Sequence, residues 1–119
     1  MNITTNIIIK HSALNGIAFK ESIDLALVCA AFDQKVNLIF VDSGVTNLLN
    51  NRPNSLTNDK NHTAILKGLE FYDIENLLVE QESLALSQLN MGDLIPSIKM
   101  VNTNEINKLN LTADHVVIL

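Results

Sequence analysis

Cys29 is the only cysteine in the 119-residue sequence and therefore its only thiol. A reactive thiolate needs a helix N-terminus, a neighbouring cation or a base to stabilise its charge. Cys29 instead lies late in a predicted helix, next to Val28, Ala30 and Ala31. This setting predicts a small hydrophobic side chain, buried in the core or in an interface. A single cysteine also excludes an internal disulfide and a metal site built from several cysteines.

Three histidines, at positions 11, 62 and 115, are the other candidates for catalysis or metal binding. No two of them have the spacing that would bring both rings to one metal ion from a single helix, so no metal site is predicted. His11 follows the first predicted strand and is expected at the end of the sheet where α/β proteins bind ligands. A hydrogen-bonded structural role is predicted for it.

Asp42 ends a run of Val, Leu, Ile and Phe residues that predicts a strand buried on both faces. Response-regulator receivers place a phosphorylated aspartate at a strand end, but they also need an acidic pair after the first strand. Lys10 and His11 occupy that position here. Asp42 is therefore predicted to cap the next helix with its carboxylate. Gly44 is predicted to permit the sharp turn into that helix without a Cβ clash.

Gly16 is the single glycine of the loop after the first predicted strand, where flavodoxin-like proteins bind phosphate. One glycine is too few for a phosphate-binding loop, so a turn glycine is predicted. The sequence thus indicates no catalytic residue, no cofactor and no metal.

The elements that would position these residues alternate between strands and helices. Apolar runs predict strands over residues 3–9, 36–41, 76–80, 98–101 and 115–119. Helical spacing predicts helices over residues 19–33, 44–50, 59–72, 83–90 and 104–109. Thr103 is a candidate N-cap, and Pro53 falls in a polar loop over residues 50–58. This order predicts an α/β fold, a three-layer α/β/α sandwich around a mostly parallel sheet of about five strands, as one domain over residues 1–119.

The first long helix carries two apolar stripes rather than one. At roughly 100° per residue, one stripe contains Phe19, Ile23, Ala26, Leu27 and Ala30. The second, on the opposite side, contains Leu25, Val28 and Phe32. The first stripe can pack on the sheet, whereas the outer face of a helix in so small a domain usually meets water. The second stripe is therefore predicted to form a subunit interface.

Composition excludes several classes of protein. The net charge is −5, from 8 basic and 13 acidic residues, and an acidic domain is a poor direct binder of nucleic acid. No apolar run approaches the roughly 20 residues that span a bilayer. The first residues, MNITTNIIIKH, lack the basic segment and the long apolar segment of a signal peptide. A cytoplasmic protein without a membrane partner is expected.

Three separated strings together resemble one family: KESIDLALVCAAF (residues 20–32), FVDSGVTNLL (40–49) and LKGLEFYDIENLLVE (66–80). They resemble the DsrE/DsrF-like family of small sulfur-relay proteins. Within that family the chain is most similar to the C-type subunit of the complex that helps to thiolate the wobble uridine of tRNA. The most specific matches are Asp42-x-Gly44-Val45-x-x-Leu48-Leu49 and Tyr72-Asp73-Ile74. The first loop departs from the Pro-His-Gly of that subunit, since it reads Leu-Asn-Gly at positions 14–16.

The resemblance implies an assembly with homologous B-type and D-type subunits as a dimer of heterotrimers. In the D-type subunit a cysteine near the end of the third strand carries a persulfide. The corresponding stretch here, residues 77–82, contains no cysteine, and Cys29 does not match that position. The resemblance therefore implies a non-catalytic subunit of a relay for tRNA 2-thiolation. Two alternatives stay open: a sulfurtransferase with a persulfide on Cys29, and a stand-alone homo-oligomer that binds a small ligand at its strand ends.

Overall fold

Five parallel strands form the central sheet of the computed structural model, which describes residues 3–50 and 60–119. They are β1 (Thr4–Ile9), β2 (Lys35–Phe40), β3 (Asn76–Glu80), β4 (Lys99–Val101) and β5 (His115–Ile118). Their order across the sheet is β4-β3-β2-β1-β5, and neighbouring strands run parallel. Each strand boundary lies within one residue of its predicted position.

Four α-helices lie between these strands in the described part of the chain: α1 (Gly16–Ala31), α2 (Lys60–Gly68), α3 (Gln81–Leu86) and α4 (Thr103–Thr112). Short 3₁₀ helices occupy Asp42–Leu48, Leu69–Tyr72 and Met91–Asp93. The helix predicted over residues 44–50 is thus a 3₁₀ helix. Pro53 and the polar loop predicted around it lie outside the described residues.

The strand order explains why the helices divide unequally between the two faces of the sheet. From β1 to β4 each strand is added on the same side of the previous one, whereas β5 lies on the other side of β1. Right-handed crossovers therefore put α1, α2 and α3 on one face and α4 on the other. Phe19, Leu66 and Leu84 accordingly belong to one core cluster, and Ile106 of α4 packs with Ile39 in a second. The predicted three-layer α/β/α fold is confirmed.

Both faces of the inner strands are buried, which explains their unbroken apolar sequences. Ile7 pairs with Leu38, and both side chains lie in the core beneath α1, α2 and α3. The next pair, Ile8 and Ile39, points to the opposite face and packs in the core beneath α4.

A ladder of asparagines crosses the sheet on the α4 face. Asn6, Asn37 and Asn76 are neighbours in register on β1, β2 and β3. The Asn37 amide donates to Asn6 Oδ1 at 2.8 Å, and the Asn76 amide donates to Asn37 Oδ1 at 2.9 Å. Asn6 in turn donates to Asn110 Oδ1 of α4 at 2.9 Å. The ladder satisfies polar groups in the sheet interior, and a slip of one residue between strands would break it.

The starts of α1 and α4 differ from the prediction because asparagines cap them. Asn15 Oδ1 accepts the backbone N–H of Ala18 at 3.1 Å, so α1 begins at Gly16, which is a helical residue and not a turn glycine. Asn102 forms a capping box with Glu105 at the start of α4. Thr103 is therefore the first residue of α4, and its prediction as the N-cap is wrong.

Candidate functional site

Gly44 brings two loops into contact at the carboxyl end of the sheet. A Cβ atom built at Gly44 would lie 1.9 Å from the carbonyl oxygen of Ile9 and 2.7 Å from its carbonyl carbon. The φ angle of Gly44 is not positive. A glycine is therefore needed here for close packing of the 3₁₀ helix Asp42–Leu48 on the end of β1, not for the sharp turn that the sequence predicts.

Side chains of the same 3₁₀ helix hold the loop after β1. The Asn47 amide donates to the carbonyl oxygens of His11 and Gly44, each at 3.0 Å. The backbone N–H of Ala13 donates to Thr46 Oγ1 at 2.9 Å. The loops that follow β1 and β2 therefore form one hydrogen-bonded unit.

His11 links this unit to α1. Its Nε2 lies 3.1 Å from Ser22 Oγ, and the Ser22 hydroxyl donates to the carbonyl oxygen of Ala18 at 2.8 Å. Because a hydroxyl has only one proton, Ser22 can only accept from His11, and the neutral ring carries its proton on Nε2. The hydrogen-bonded role predicted for His11 agrees with this contact.

Two acceptor atoms lie beside these bonds without a hydrogen-bond partner among the described residues: His11 Nδ1 and Asn47 Oδ1. The orientation of the Asn47 amide is settled, because its nitrogen faces two carbonyl oxygens. Asn47 is only 1% exposed. The corner around His11 and Asn47 therefore holds two buried hydrogen-bond acceptors.

Asp42 lies at the same end of the sheet, but it does not cap a helix. It is the first residue of the 3₁₀ helix, where Val41 takes the N-cap position without a side-chain hydrogen bond. Asp42 itself adopts a left-handed backbone, with φ of 51°. Its carboxylate lies 3.7 Å from Lys10 Nζ in an ion pair whose side chains are both more than half exposed. The predicted cap is therefore wrong, and such a surface pair contributes little to stability.

Glu80, at the end of β3, accepts hydrogen bonds at both of its carboxylate oxygens. The Ser83 hydroxyl donates to Glu80 Oε1, and the Thr103 hydroxyl donates to Oε2 at 3.2 Å. Ser83 also accepts the backbone N–H of Asp42 at 2.8 Å. The carboxylate thus connects β3 with the starts of α3 and α4 and, through Ser83, with the end of β2.

Glu82 of α3 is hydrogen-bonded to the start of α4, since its Oε2 accepts the backbone N–H of Thr103 at 3.2 Å. Hydrogen bonds from its own backbone N–H and from Thr103 hold the pKa of the Glu82 carboxyl below its ordinary value. A pKa lowered by folding stabilises the protein near neutral pH, and this contribution is lost in acid as the pH falls through the folded pKa. The group is exposed, so solvent screening keeps the contribution small.

Cys29 lies at the opposite end of the sheet. Helix α1 runs from the carboxyl end of β1 to the amino end of β2, and Cys29 is in its last turn. The side chain is 9% exposed and belongs to the core cluster. The carbonyl oxygen of Cys29 accepts the N–H of Gln34 at 3.1 Å, just before β2. The prediction of a small buried side chain is confirmed.

The other two histidines belong to α2 and β5. The ring of His62 stacks on Phe19 of α1, with ring centroids 3.6 Å apart. His115 begins β5 and is exposed. Within residues 3–50 and 60–119, no cluster of histidine, cysteine or acidic side chains could hold a metal ion.

The outer stripe predicted on α1 divides into two parts. Val28 and Phe32 are 54% and 76% exposed, whereas Leu25 is half-buried and packs against the core. Of the three residues of this stripe, Val28 and Phe32 therefore offer an apolar surface to a partner, and Leu25 does not. No helix in the described part of the chain is both long and apolar enough to cross a membrane.

Sequence reasoning missed the bonds around Glu80. The spacing of Glu80 and Ser83, where a strand runs into a helix, is a local signal that could have indicated their contact. Thr103 is 23 residues from Glu80, and no local pattern connects them. Asn47 was missed because its two carbonyl partners come together only when the loops pack.

These features define a class of protein: a three-layer α/β/α fold with strand order β4-β3-β2-β1-β5, whose strand-end loops are held by hydrogen bonds and carry no thiol. The sequence profile of the DsrE/DsrF-like family matches residues 6–119. The chain belongs to the DsrE/DsrF-like family.

Several relatives carry names from this family. A protein named TusC homolog from Vibrio parahaemolyticus is 30% identical over 99 residues, which cover 82% of this chain and 84% of the relative. A TusC homolog from Pseudomonas aeruginosa is 26% identical over 95% of both chains. The intracellular sulfur oxidation protein DsrF of Allochromatium vinosum is 31% identical over 75 residues, 63% of this chain and 55% of that protein.

Solved structures show the same fold. The ychN protein of E. coli matches over the full length of both chains with a TM-score of 0.80 and 16% identity. A protein of unknown function from Methanobacterium thermoautotrophicum also matches over both full lengths, with a TM-score of 0.67 and 12% identity. At these identities the likeness concerns the fold alone.

Proposed function

We propose that this chain is a non-catalytic subunit of a sulfur-relay complex that serves 2-thiolation of the wobble uridine of tRNA. The relatives named TusC homolog, together with DsrF, support a place in a sulfur relay. The homologous B-type and D-type subunits are the proposed partners, in a cytoplasmic dimer of heterotrimers. The chain acts in it as one domain over residues 1–119, without a cofactor and without direct contact to nucleic acid.

The observation that carries this proposal is the chemistry at the end of β3. The resemblance to the family implies that the D-type subunit carries its persulfide cysteine near this position. Here the strand ends in Glu80, whose two carboxylate oxygens accept hydrogen bonds from Ser83 and Thr103. A carboxylate held in this way connects elements of the fold and has no sulfur to transfer.

A sulfurtransferase that uses Cys29 has less support. The thiol is buried and lies at the amino end of the sheet, away from the strand-end loops. Its neighbours Val28 and Ala30 provide neither a cation nor a base to stabilise a thiolate.

A stand-alone ligand-binding module also has less support. The strand-end loops around His11 and Gly44 pack on each other through hydrogen bonds and a close backbone contact. A cleft of about 440 Å³ lies elsewhere, at the amino ends of β3 and β4, where its lining includes Leu66, Glu70 and Pro96.

The decisive experiment measures 2-thiouridine in tRNA from cells that lack this chain. The thiolated tRNA is retarded in gels that contain an organomercury compound, and deletion should remove the retarded band. Wild-type chain and the Cys29→Ser variant should both restore it, because the thiol is not used. The abundance of the assembled complex, measured by co-purification with the homologous subunits, serves as the control.

Two results would contradict the proposal. If Cys29→Ser assembles at a normal level yet gives no 2-thiouridine, this chain carries sulfur itself. If deletion leaves tRNA thiolation unchanged, the chain does not serve this pathway.

A further inference from the structure

The strand β5 has a free edge in the described part of the chain. Leu119, next after β5, donates its N–H to Ile8 O and accepts from Lys10 N, both at 2.8 Å. In a parallel ladder every second residue of an edge strand bonds to its one neighbour, so the backbone groups of residues 115, 117 and 119 face β1. Those of Val116 and Ile118 therefore face away, and no described residue bonds to them.

The side chains on this edge are apolar and exposed. Val116 and Ile118 are 41% and 62% exposed, and they lie on the α4 face because they pair with Asn6 and Ile8. The opposite edge strand differs: β4 is only three residues long, contains Lys99 and follows Pro96. Lysine and proline are among the features by which proteins prevent strand pairing at an exposed edge, and residues 116–119 contain neither.

We propose that β5 pairs with β5 of a second copy of this chain, antiparallel, about a two-fold axis that passes between the two Val117 residues. Val116 of one copy then lies opposite Ile118 of the other, and both have outward-facing N–H and C=O groups. Each such pair exchanges two hydrogen bonds, so the contact gains four. Val117 of one copy lies opposite Val117 of the other. The two form a non-hydrogen-bonded pair, because the backbone groups of each Val117 bond to β1 of its own molecule.

A second copy fits this edge because the edge is complementary to itself. The two outward-facing residues are symmetric about Val117, and the pairing sets apolar side chains opposite apolar side chains on both faces. The two-fold axis stands normal to the sheet, so α4 of both copies lies on the same face. Within Thr103–Thr112, α4 carries one acidic and one basic residue, Glu105 and Lys108. The net charge of each α4 is therefore zero, and the two α4 helices on this face do not repel each other through net charge. The result is a continuous ten-stranded sheet, and the proposal does not depend on the function in tRNA thiolation.

Site-specific crosslinking of the full chain tests the register. In the Cys29→Ser background, Val117→Cys puts two thiols at a non-hydrogen-bonded pair, where the Cα atoms are about 4.5 Å apart and a disulfide is allowed. Diamide accepts two electrons and two protons as the two thiols join. Val116→Cys in the same background is the matched control, because the two introduced thiols would be on diagonal positions more than about 7 Å apart, beyond the usual reach of a disulfide.

The expected result is a covalent dimer from Val117→Cys and little or none from Val116→Cys on a non-reducing gel. Ile118→Lys should weaken the association measured by sedimentation by at least about tenfold, or 1.4 kcal/mol, whereas Met100→Lys on β4 should leave it unchanged. Amide hydrogen exchange should show protection of Val116 and Ile118 in wild type that is lost in Ile118→Lys. A folded Val117→Cys chain that yields no crosslink, or equal crosslinking at both positions, would overturn the proposal.

Discussion

Gly44 packs on the carbonyl group of Ile9 without room for a Cβ atom, and Gly44→Ala tests this contact. The added Cβ would meet the Ile9 carbonyl at 1.9 Å, and that oxygen is backbone, so β1 and the 3₁₀ helix would have to separate. We expect a loss of about 3 kcal/mol or more in the free energy of unfolding, measured with urea.

Gly68→Ala is the matched control for this substitution. Gly68 ends α2 with nothing within 4 Å of its added Cβ, so alanine should stabilise the helix by about 0.5–1 kcal/mol. If Gly44→Ala costs less than about 1 kcal/mol, the two loops separate easily and are not a rigid unit.

Asp42 has a left-handed backbone and makes no capping bond. The stability of its variants should therefore depend on how well each new residue tolerates a positive φ angle. Asp42→Ala should lose about 1 kcal/mol, because alanine tolerates this conformation poorly, while Asp42→Asn should be nearly neutral. Asp42→Gly should be at least as stable as wild type. Melting temperatures of the three variants test this, and a glycine variant less stable than the alanine variant would contradict it. If Asp42→Asn assembled normally but abolished thiolation, this turn would be a functional site.

Among the elements of the fold, the asparagine ladder holds three strands in register. Asn37→Ala would leave Asn6 Oδ1 and the Asn76 amide without their partner on β2. We expect a loss of about 2–4 kcal/mol in urea unfolding, since each buried group left unpaired costs about 1–3 kcal/mol.

The control for the ladder is Asn107→Ala, at an exposed position of α4, which should change stability by less than about 0.5 kcal/mol. In the double variant Asn6→Ala/Asn37→Ala, the loss should be smaller than the sum of the single losses, because both remove the same bond. Additive losses would mean that the amides act independently.

At the scale of the whole molecule, the exposed part of α1 remains our proposed contact with the homologous subunits. Val28→Asp and Phe32→Asp should reduce co-purification of those subunits while the melting temperature stays near that of wild type, because a charge in a desolvated interface is costly. Leu25→Asp should instead destabilise the chain itself, because Leu25 packs against the core.

Leu86→Asp is the matched control for this surface, since Leu86 is also exposed but lies on α3. It should leave co-purification unchanged, and an equal loss would show that the contact is not specific to α1. Without partners, the wild-type chain is expected to self-associate or to be poorly soluble. A soluble monomer that binds neither homologous subunit would contradict the proposed assembly.

Local patterns in the sequence by themselves determined the elements and the character of the single thiol. Runs such as Ile7–Ile9 indicate a strand buried on both faces, and the alternation with helices indicates a parallel sheet. The apolar neighbours of Cys29 indicate a buried thiol in the same way. These predictions succeeded because the spacing of apolar residues close in the chain indicates both the type of element and the side chains that are suited to burial.

Only the tertiary structure decided which distant groups meet. Gly44 is required because it packs on Ile9, the carboxylate of Glu80 is held by Thr103, and Asn37 lies between Asn6 and Asn76. It also decided that, among residues 3–50 and 60–119, α4 is the one α-helix on its face of the sheet and β5 has a free edge. The physical reason is that packing distances and hydrogen bonds between distant segments form only when the chain folds. The periodicity of apolar residues along the sequence does not indicate which distant segments will meet.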